Sequence, residues 1–125
     1  MIFIFGGAFQ GKTDFARSLI NDDAIQIYTC TGEERSLPSA TIITHIERFH
    51  LSCVKRSEDA IGYWETNLSL FRDSIIIADD ISCGVVPIDA TERAWCELAG
   101  SANQELAHMA ERVYRVFCGL GARLK

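Results

Sequence analysis

Eight residues near the start, Gly6-Gly7-Ala8-Phe9-Gln10-Gly11-Lys12-Thr13, restrict the fold more than any other stretch. They spell G-x-x-x-x-G-K-[ST] and follow the apolar run Met1-Ile2-Phe3-Ile4-Phe5 without a gap. Beyond them Phe15, Ala16, Leu19 and Ile20 share one helical face, so the chain reads strand, glycine loop, helix. That succession predicts a loop whose backbone N–H groups turn inward around an anion, with a helix N-terminus behind it. Gly6, Gly7, Ala8, Phe9, Gln10 and Gly11 would then cradle a polyphosphate of ATP or GTP through their backbone. Lys12 would reach the β- and γ-phosphates, and the Thr13 hydroxyl would ligate Mg²⁺. A glycine-rich turn that happens to precede a lysine is the plainer alternative; the flanking strand and helix weigh against it.

The rest of the chain must supply a sheet for that first strand. With 125 residues the expectation is one domain, 1–125, with a genuine core. No run approaches the roughly 18 apolar residues of a membrane span, and the first five residues read as a strand rather than a signal peptide. A net charge of −5, with no block of lysines or arginines, argues against nucleic acid or an anionic membrane as main partner. Five cysteines without a C-x-x-C pair suggest buried thiols in a reducing cytoplasm.

Further strands are predicted over 24–30, 40–46, 74–80 and 113–118, each β-branched or continuously apolar. Thr31 to Ser39 reads as a loop, 47–56 is ambiguous, and 82–87 reads as a turn and connection. From Ser57, a candidate cap, Ile61, Trp64, Leu68 and Phe71 recur at helical spacing. Asp89 caps a long second amphipathic helix with Trp95, Leu98, Ala99, Ala102, Leu106 and Met109 on its buried face. Strands alternating with helices imply an α/β fold, three layers around a mostly parallel sheet.

In such sheets the ligand crevice lies at the carboxyl ends of the strands. Asp79 and Asp80 fall at such an end and are the candidate carboxylates, directed at the Mg²⁺ or at an attacking hydroxyl. Adjacent strand residues point to opposite faces, so one of the two should face the nucleotide. A solvated strand end or a helix cap is the alternative. His45 and His50 flank the end of the third predicted strand, where a histidine could carry a covalent phosphoryl or nucleotidyl group or serve only as a polar strand-end residue. His108 sits beside the buried face of the long helix, in a structural position.

The last third carries a more specific resemblance. Asp79-Asp80-Ile81-Ser82-Cys83-Gly84-Val85-Val86-Pro87, then Asn103-Gln104-Glu105-Leu106-Ala107, then the end Gly119-Leu120-Gly121-Ala122-Arg123-Leu124-Lys125 occur in order. They resemble the adenosylcobinamide kinase / adenosylcobinamide-phosphate guanylyltransferase family, with its N-E-V-G-x-G-I-V-P, N-Q-x-L-A and G-x-x-x-x-[LI]-K motifs. Gly6-Gly7-Ala8 to Gly11-Lys12-Thr13 is similar to its G-G-A-R-S-G-K-S loop. The resemblance implies a RecA-like P-loop NTPase fold, a cytoplasmic homo-oligomer, and cobalamin biosynthesis. It further implies a kinase that phosphorylates the corrinoid aminopropanol hydroxyl with ATP or GTP, and GMP transfer through a guanylylated histidine.

Two departures qualify it. The family carries H-x-x-x-R-P-x-x-W between its second strand and a V-D-C-L-T-L-W strand, where this chain has only Thr31 to Ser39. No residue here matches the guanylylated histidine, so guanylyl transfer is expected to be absent. Aligning Thr44 to Ser52 with the family strand puts His45 at the family's aspartate, leaving Glu47 or Asp80 to compensate. Three readings follow: a corrinoid kinase, with Lys12, Asp80 and Asp79 as catalytic residues and Thr13 and Asp80 as metal ligands; a catalytically inactive nucleotide-binding regulatory or assembly protein; or a generic small P-loop NTPase.

Overall fold

The computed structural model describes residues 1–81 and 89–125. The predicted turn at 82–87 therefore lies outside the described residues. Six strands form one sheet in the order β2-β3-β4-β1-β5-β6 among the described residues. In chain order these are β1 (Ile2–Gly6), β2 (Ile27–Thr29), β3 (Ile42–Thr44), β4 (Ile75–Asp79), β5 (Arg112–Phe117) and β6 (Leu120–Arg123). The first five run parallel, and β6 returns antiparallel to β5. The architecture is α/β, three layers, of the RecA-like P-loop class.

The burial pattern explains the layering. Along β4, Ile75 and Ile77 pack on one face with Ile4, Ala16 and Ile42, while Ile76 and Ala78 pack on the other with Phe3, Ile43 and Leu106. A strand covered on both faces has to be apolar at consecutive positions, as Ile75-Ile76-Ile77-Ala78 is. On the first face lies α1 (Lys12–Ser18); on the second lie α2 (Ile46–Lys55), α3 (Ala60–Thr66) and α4 (Ala90–Met109). Asp89 caps α4 as expected, its Oδ1 accepting from the Thr91 and Glu92 N–H groups.

Several elements differ from expectation. The stretch aligned above with a family strand is helical: β3 stops at Thr44, and α2 begins at Ile46. Its apolar residues Ile46, Phe49 and Cys53 recur at three and four, a helical period, and all are buried. Asp59 rather than Ser57 caps α3, accepting from the Gly62 N–H at 3.0 Å. Leu68 lies in a short 3₁₀ turn (Leu68–Phe71) and is about one-third exposed, whereas Trp64 and Phe71 are buried. The tail is a strand, β6, joined to β5 by Cys118-Gly119, both at positive φ (51° and 76°). Such a two-residue turn suits the twist of a hairpin. Cys118 is consequently exposed, whereas Cys30 and Cys53 are buried thiols, pushed up to about 12 and about 11 chiefly by burial.

The loop before β3, residues 31–39, is anchored to the helices behind it. The Glu34 carboxylate accepts from its own turn at Thr31 and Gly32, and the Glu34 carbonyl accepts from Ser52 and Arg56. The Leu37 N–H donates to the Tyr63 hydroxyl at 2.8 Å.

His50 is not at the crevice. It is fully buried on α2, where Nε2 accepts from the Trp64 indole N–H at 3.0 Å. Burial pushes its pKa down from 6.5 to about 4. A second proton would also set two donors against each other at the Trp64 contact. Because the folded pKa lies below the unfolded one, the unfolded chain takes up the proton first as pH falls. The stability His50 contributes is therefore complete above pH 6.5 and is lost between 6.5 and about 4, roughly 3 kcal/mol in all. Denaturant unfolding between pH 7 and 5, followed by tryptophan fluorescence, should show this slope in the wild type and a shallower one in His50→Leu. Equal slopes would refute the assignment.

Candidate functional site

The loop leaving β1 has a shape that two glycines make possible. A Cβ on Gly6 would lie 2.4 Å from the Val116 carbonyl oxygen, an impossible approach. Gly11, the residue before α1, holds φ at +86°, and a Cβ there would lie 3.2 Å from the Gly119 Cα. Between them Phe9 also takes positive φ, with its ring fully exposed at the loop tip. The β5–β6 turn braces the loop: the Cys118 N–H donates to Gln10 Oε1 and the Gly119 N–H to the Gln10 carbonyl, both at 2.7 Å.

Lys12 opens α1 and folds back across the loop. Its side chain is only 6% exposed, the ammonium donating to the Gly7 carbonyl at 2.6 Å and pairing with Asp79 Oδ1 at 2.7 Å. A lysine that buried requires partners of this kind. Both belong to the site: Gly7 to the loop, Asp79 to the end of the adjoining strand. Thr13 is half-buried and lines the same cavity of about 330 Å³, with residues 8–14, Thr44, His45, Arg48 and Asp79.

A second group of side chains closes the cavity from the β3 side. His45 stands between β3 and α2 with φ of 60°, a left-handed conformation that few residues other than glycine adopt and that asparagine, aspartate and histidine adopt most readily. Its Nδ1 lies 3.0 Å from Glu47 Oε1 and 3.6 Å from Asp79 Oδ2. Glu47 is nearly buried in the first turn of α2, and its Oε2 accepts from the Asp79 N–H at 3.0 Å. The Trp95 indole of α4 donates to the Glu47 carbonyl at 2.7 Å. His45, Glu47 and Asp79 thus offer one ligand atom each within 4.8 Å of one another.

The two neighbouring aspartates part company, as strand alternation requires. Asp79 meets Lys12 and His45. Asp80 donates its N–H to the Gly6 carbonyl at 2.8 Å and lines a smaller cavity of about 160 Å³ with Gly6, Gly7, Gln10, Arg115, Val116 and Phe117. Residues 8–11 of the loop, Lys12, Thr13, Asp79 and His45 line one cavity; Asp80 lines the smaller one with Gly6, Gly7 and Gln10, His50 lies in the core, and His108 is exposed on α4. Sequence reasoning noted Glu47 only as a possible substitute. The available signal was a glutamate three residues past the end of β3, in a segment whose apolar spacing is helical.

Comparison with known proteins agrees with this architecture. The family model described as cobinamide kinase / cobinamide phosphate guanyltransferase matches residues 52–124, more than half of the chain. That span contains Asp79 and Asp80 and begins after the phosphate loop, His45 and Glu47. Two proteins named bifunctional adenosylcobalamin biosynthesis protein CobU, from Salmonella typhimurium (strain LT2) and Escherichia coli (strain K12), are each 31% identical over 51 residues. Those residues are 41% of this chain and 28% of each relative, so the match spans well under half of the relatives' length. Among the described residues no helix is long and apolar enough to cross a membrane. On the family match and the parallel sheet together, the chain belongs to the cobinamide kinase / cobinamide phosphate guanyltransferase family.

Proposed function

We propose that the chain, as a single cytoplasmic domain that self-associates, binds ATP or GTP through the loop 6–13 and transfers the γ-phosphoryl group to the aminopropanol hydroxyl of a corrinoid in cobalamin biosynthesis. The observation that carries the reading is Lys12, a buried cation held over the loop mouth by Gly7 and Asp79. Phosphoryl transfer depends mainly on positioning and charge neutralisation, and a pre-placed ammonium supplies both. When a polyphosphate enters, Lys12 can exchange the Gly7 carbonyl for phosphate oxygens while Asp79 keeps it in register. Asp79 is then the carboxylate positioned to orient the acceptor hydroxyl or accept its proton, the part given to Asp80 by sequence alone.

The cation such a reaction uses is Mg²⁺ in the general scheme. Its shell is all oxygen, and Thr13, Glu47 and Asp79 offer oxygens. The third member of the cluster, the His45 imidazole, does not fit a hard cation of that kind. No step here is assigned to it.

His45 is also what favours a second reading, nucleotide binding without turnover. A histidine stands where the family resemblance places a metal-directed aspartate, and a regulatory or assembly protein would tolerate that change.

Incubation with adenosylcobinamide, a divalent cation and nucleotides labelled at either the α- or the γ-phosphate separates the readings. The kinase predicts γ-label on the corrinoid. Tight nucleotide binding with no transfer to any corrinoid supports the second reading. No α-label should remain on the denatured protein, because His50 is sealed in the core and His45 is engaged with Glu47. Covalent α-label that disappears in His45→Asn would show guanylylation to be retained.

A further inference from the structure

We infer that His45, Glu47 and Asp79 form a binding site for a borderline divalent transition-metal ion, in the range Mn²⁺ to Zn²⁺, in preference to Mg²⁺. Two of its residues, His45 and Asp79, line the proposed nucleotide crevice, and none of its three ligands comes from the nucleotide.

The argument rests on how each carboxylate is used. Asp79 spends Oδ1 on Lys12 and turns Oδ2 toward His45 Nδ1, 3.6 Å away. Glu47 spends Oε2 on the Asp79 backbone N–H and turns Oε1 toward the same nitrogen, 3.0 Å away. Each acid is thus oriented by one oxygen and presents the other at a common point, the kind of outer support that fixes metal ligands. Bonds of about 2.1 Å place neighbouring ligands about 3.0 Å apart in octahedral and about 3.4 Å apart in tetrahedral coordination. The Glu47 separation equals the octahedral spacing, and the Asp79 separation exceeds the tetrahedral one by about 0.2 Å, a shift the two side chains can close on binding. Glu47 is 5% exposed, and a carboxylate so buried is held by pairing or by a metal. Lys12 bonds Asp79, and Glu47 Oε1 pairs with His45 Nδ1, a contact in which a metal ion would take the place of the shared proton.

The donor types decide which metal fits. One imidazole nitrogen and two carboxylate oxygens suit Mn²⁺, Fe²⁺, Co²⁺ or Zn²⁺, whereas Mg²⁺ prefers oxygens alone and keeps most of its waters. As a ligand, Nδ1 offers its lone pair and the neutral ring carries its proton on Nε2. The cavity, which Thr13 also lines, leaves further coordination positions to water or phosphate oxygens.

Co²⁺ titration of the nucleotide-free protein tests the inference, read by its visible absorption and by calorimetry. One Co²⁺ should bind, and ~100-fold excess Mg²⁺ should fail to displace it. Position 45 is left-handed, so the informative variants are His45→Asn and His45→Asp, which tolerate that backbone. His45→Asn, checked for folding by circular dichroism, should weaken Co²⁺ by roughly 10²-fold. His45→Asp makes the set all-oxygen and should let Mg²⁺ compete. The inference is overturned if wild type binds no Co²⁺, if Mg²⁺ displaces Co²⁺ from wild type at equal concentration, if folded His45→Asn keeps full Co²⁺ affinity, or if Mg²⁺ still fails to compete in His45→Asp. Because no nucleotide is present, failure here leaves the nucleotide reading to its own test.

Discussion

Lys12→Ala is expected to weaken nucleoside triphosphate binding by at least ~10²-fold while the fold survives. Hydrogen bonds to a charged group are each worth about 1.5–3 kcal/mol, and the Lys12 ammonium is placed to make several to the phosphates. The loss has a second component. Lys12 is the ion-pair partner of Asp79 in the unliganded protein. Without it the Asp79 charge confronts the incoming phosphates directly. Both effects oppose binding, so alanine should cost more than the lost contacts alone. Calorimetric titration of the folded variant checks this, and unchanged affinity would remove the loop from nucleotide binding.

The second large effect belongs to Asp79. Asparagine at 79 keeps the size of the side chain and removes its charge, so Lys12 retains the Gly7 carbonyl but loses its ionic partner. With no carboxylate competing for the ammonium, triphosphate affinity should hold or rise. Turnover should fall by ~10²-fold or more, because the group that orients the acceptor hydroxyl is gone. Asp80→Asn is the matched control in the neighbouring cavity and should lower turnover less than ~10-fold. Measured kcat and KM for the pair decide between them; the reverse ranking would return the role to Asp80.

That contrast marks where the sequence was legible. The phosphate loop could be read because its geometry is local: Gly6 and Gly11 answer demands made by the backbone within a few residues and by one neighbouring strand. The parallel sheet could be read because β4 is apolar at four consecutive positions, which follows only from cover on both faces. Asp79 and Asp80 could be placed at the crevice, but not told apart. Which of two adjacent residues faces α1 depends on the strand's register and on which face that helix packs against, and neither is written locally. Glu47 was harder still. It meets Asp79 because α2 starts immediately after β3, through a left-handed His45 whose conformation the residue type permits but does not announce. The strand β6 went unread since Gly121 and the charged end masked its alternation, and Cys118-Gly119 is not one of the dipeptides that mark a two-residue hairpin turn. Gly121 has a packing reason: a Cβ there would collide with the Phe15 ring.

The central claim is that the loop 6–13, with Lys12 held by Asp79, is a site for the phosphates of a nucleotide. Its most direct test is titration of the wild-type protein with ATP and GTP beside adenosine and guanosine, each with Mg²⁺ and with Mn²⁺. The account predicts saturable binding of at least one triphosphate and at least ~10²-fold weaker binding of the corresponding nucleoside, since the phosphates carry the interaction. A nucleoside that binds as tightly as its triphosphate, or no binding of either triphosphate with either cation, would contradict it.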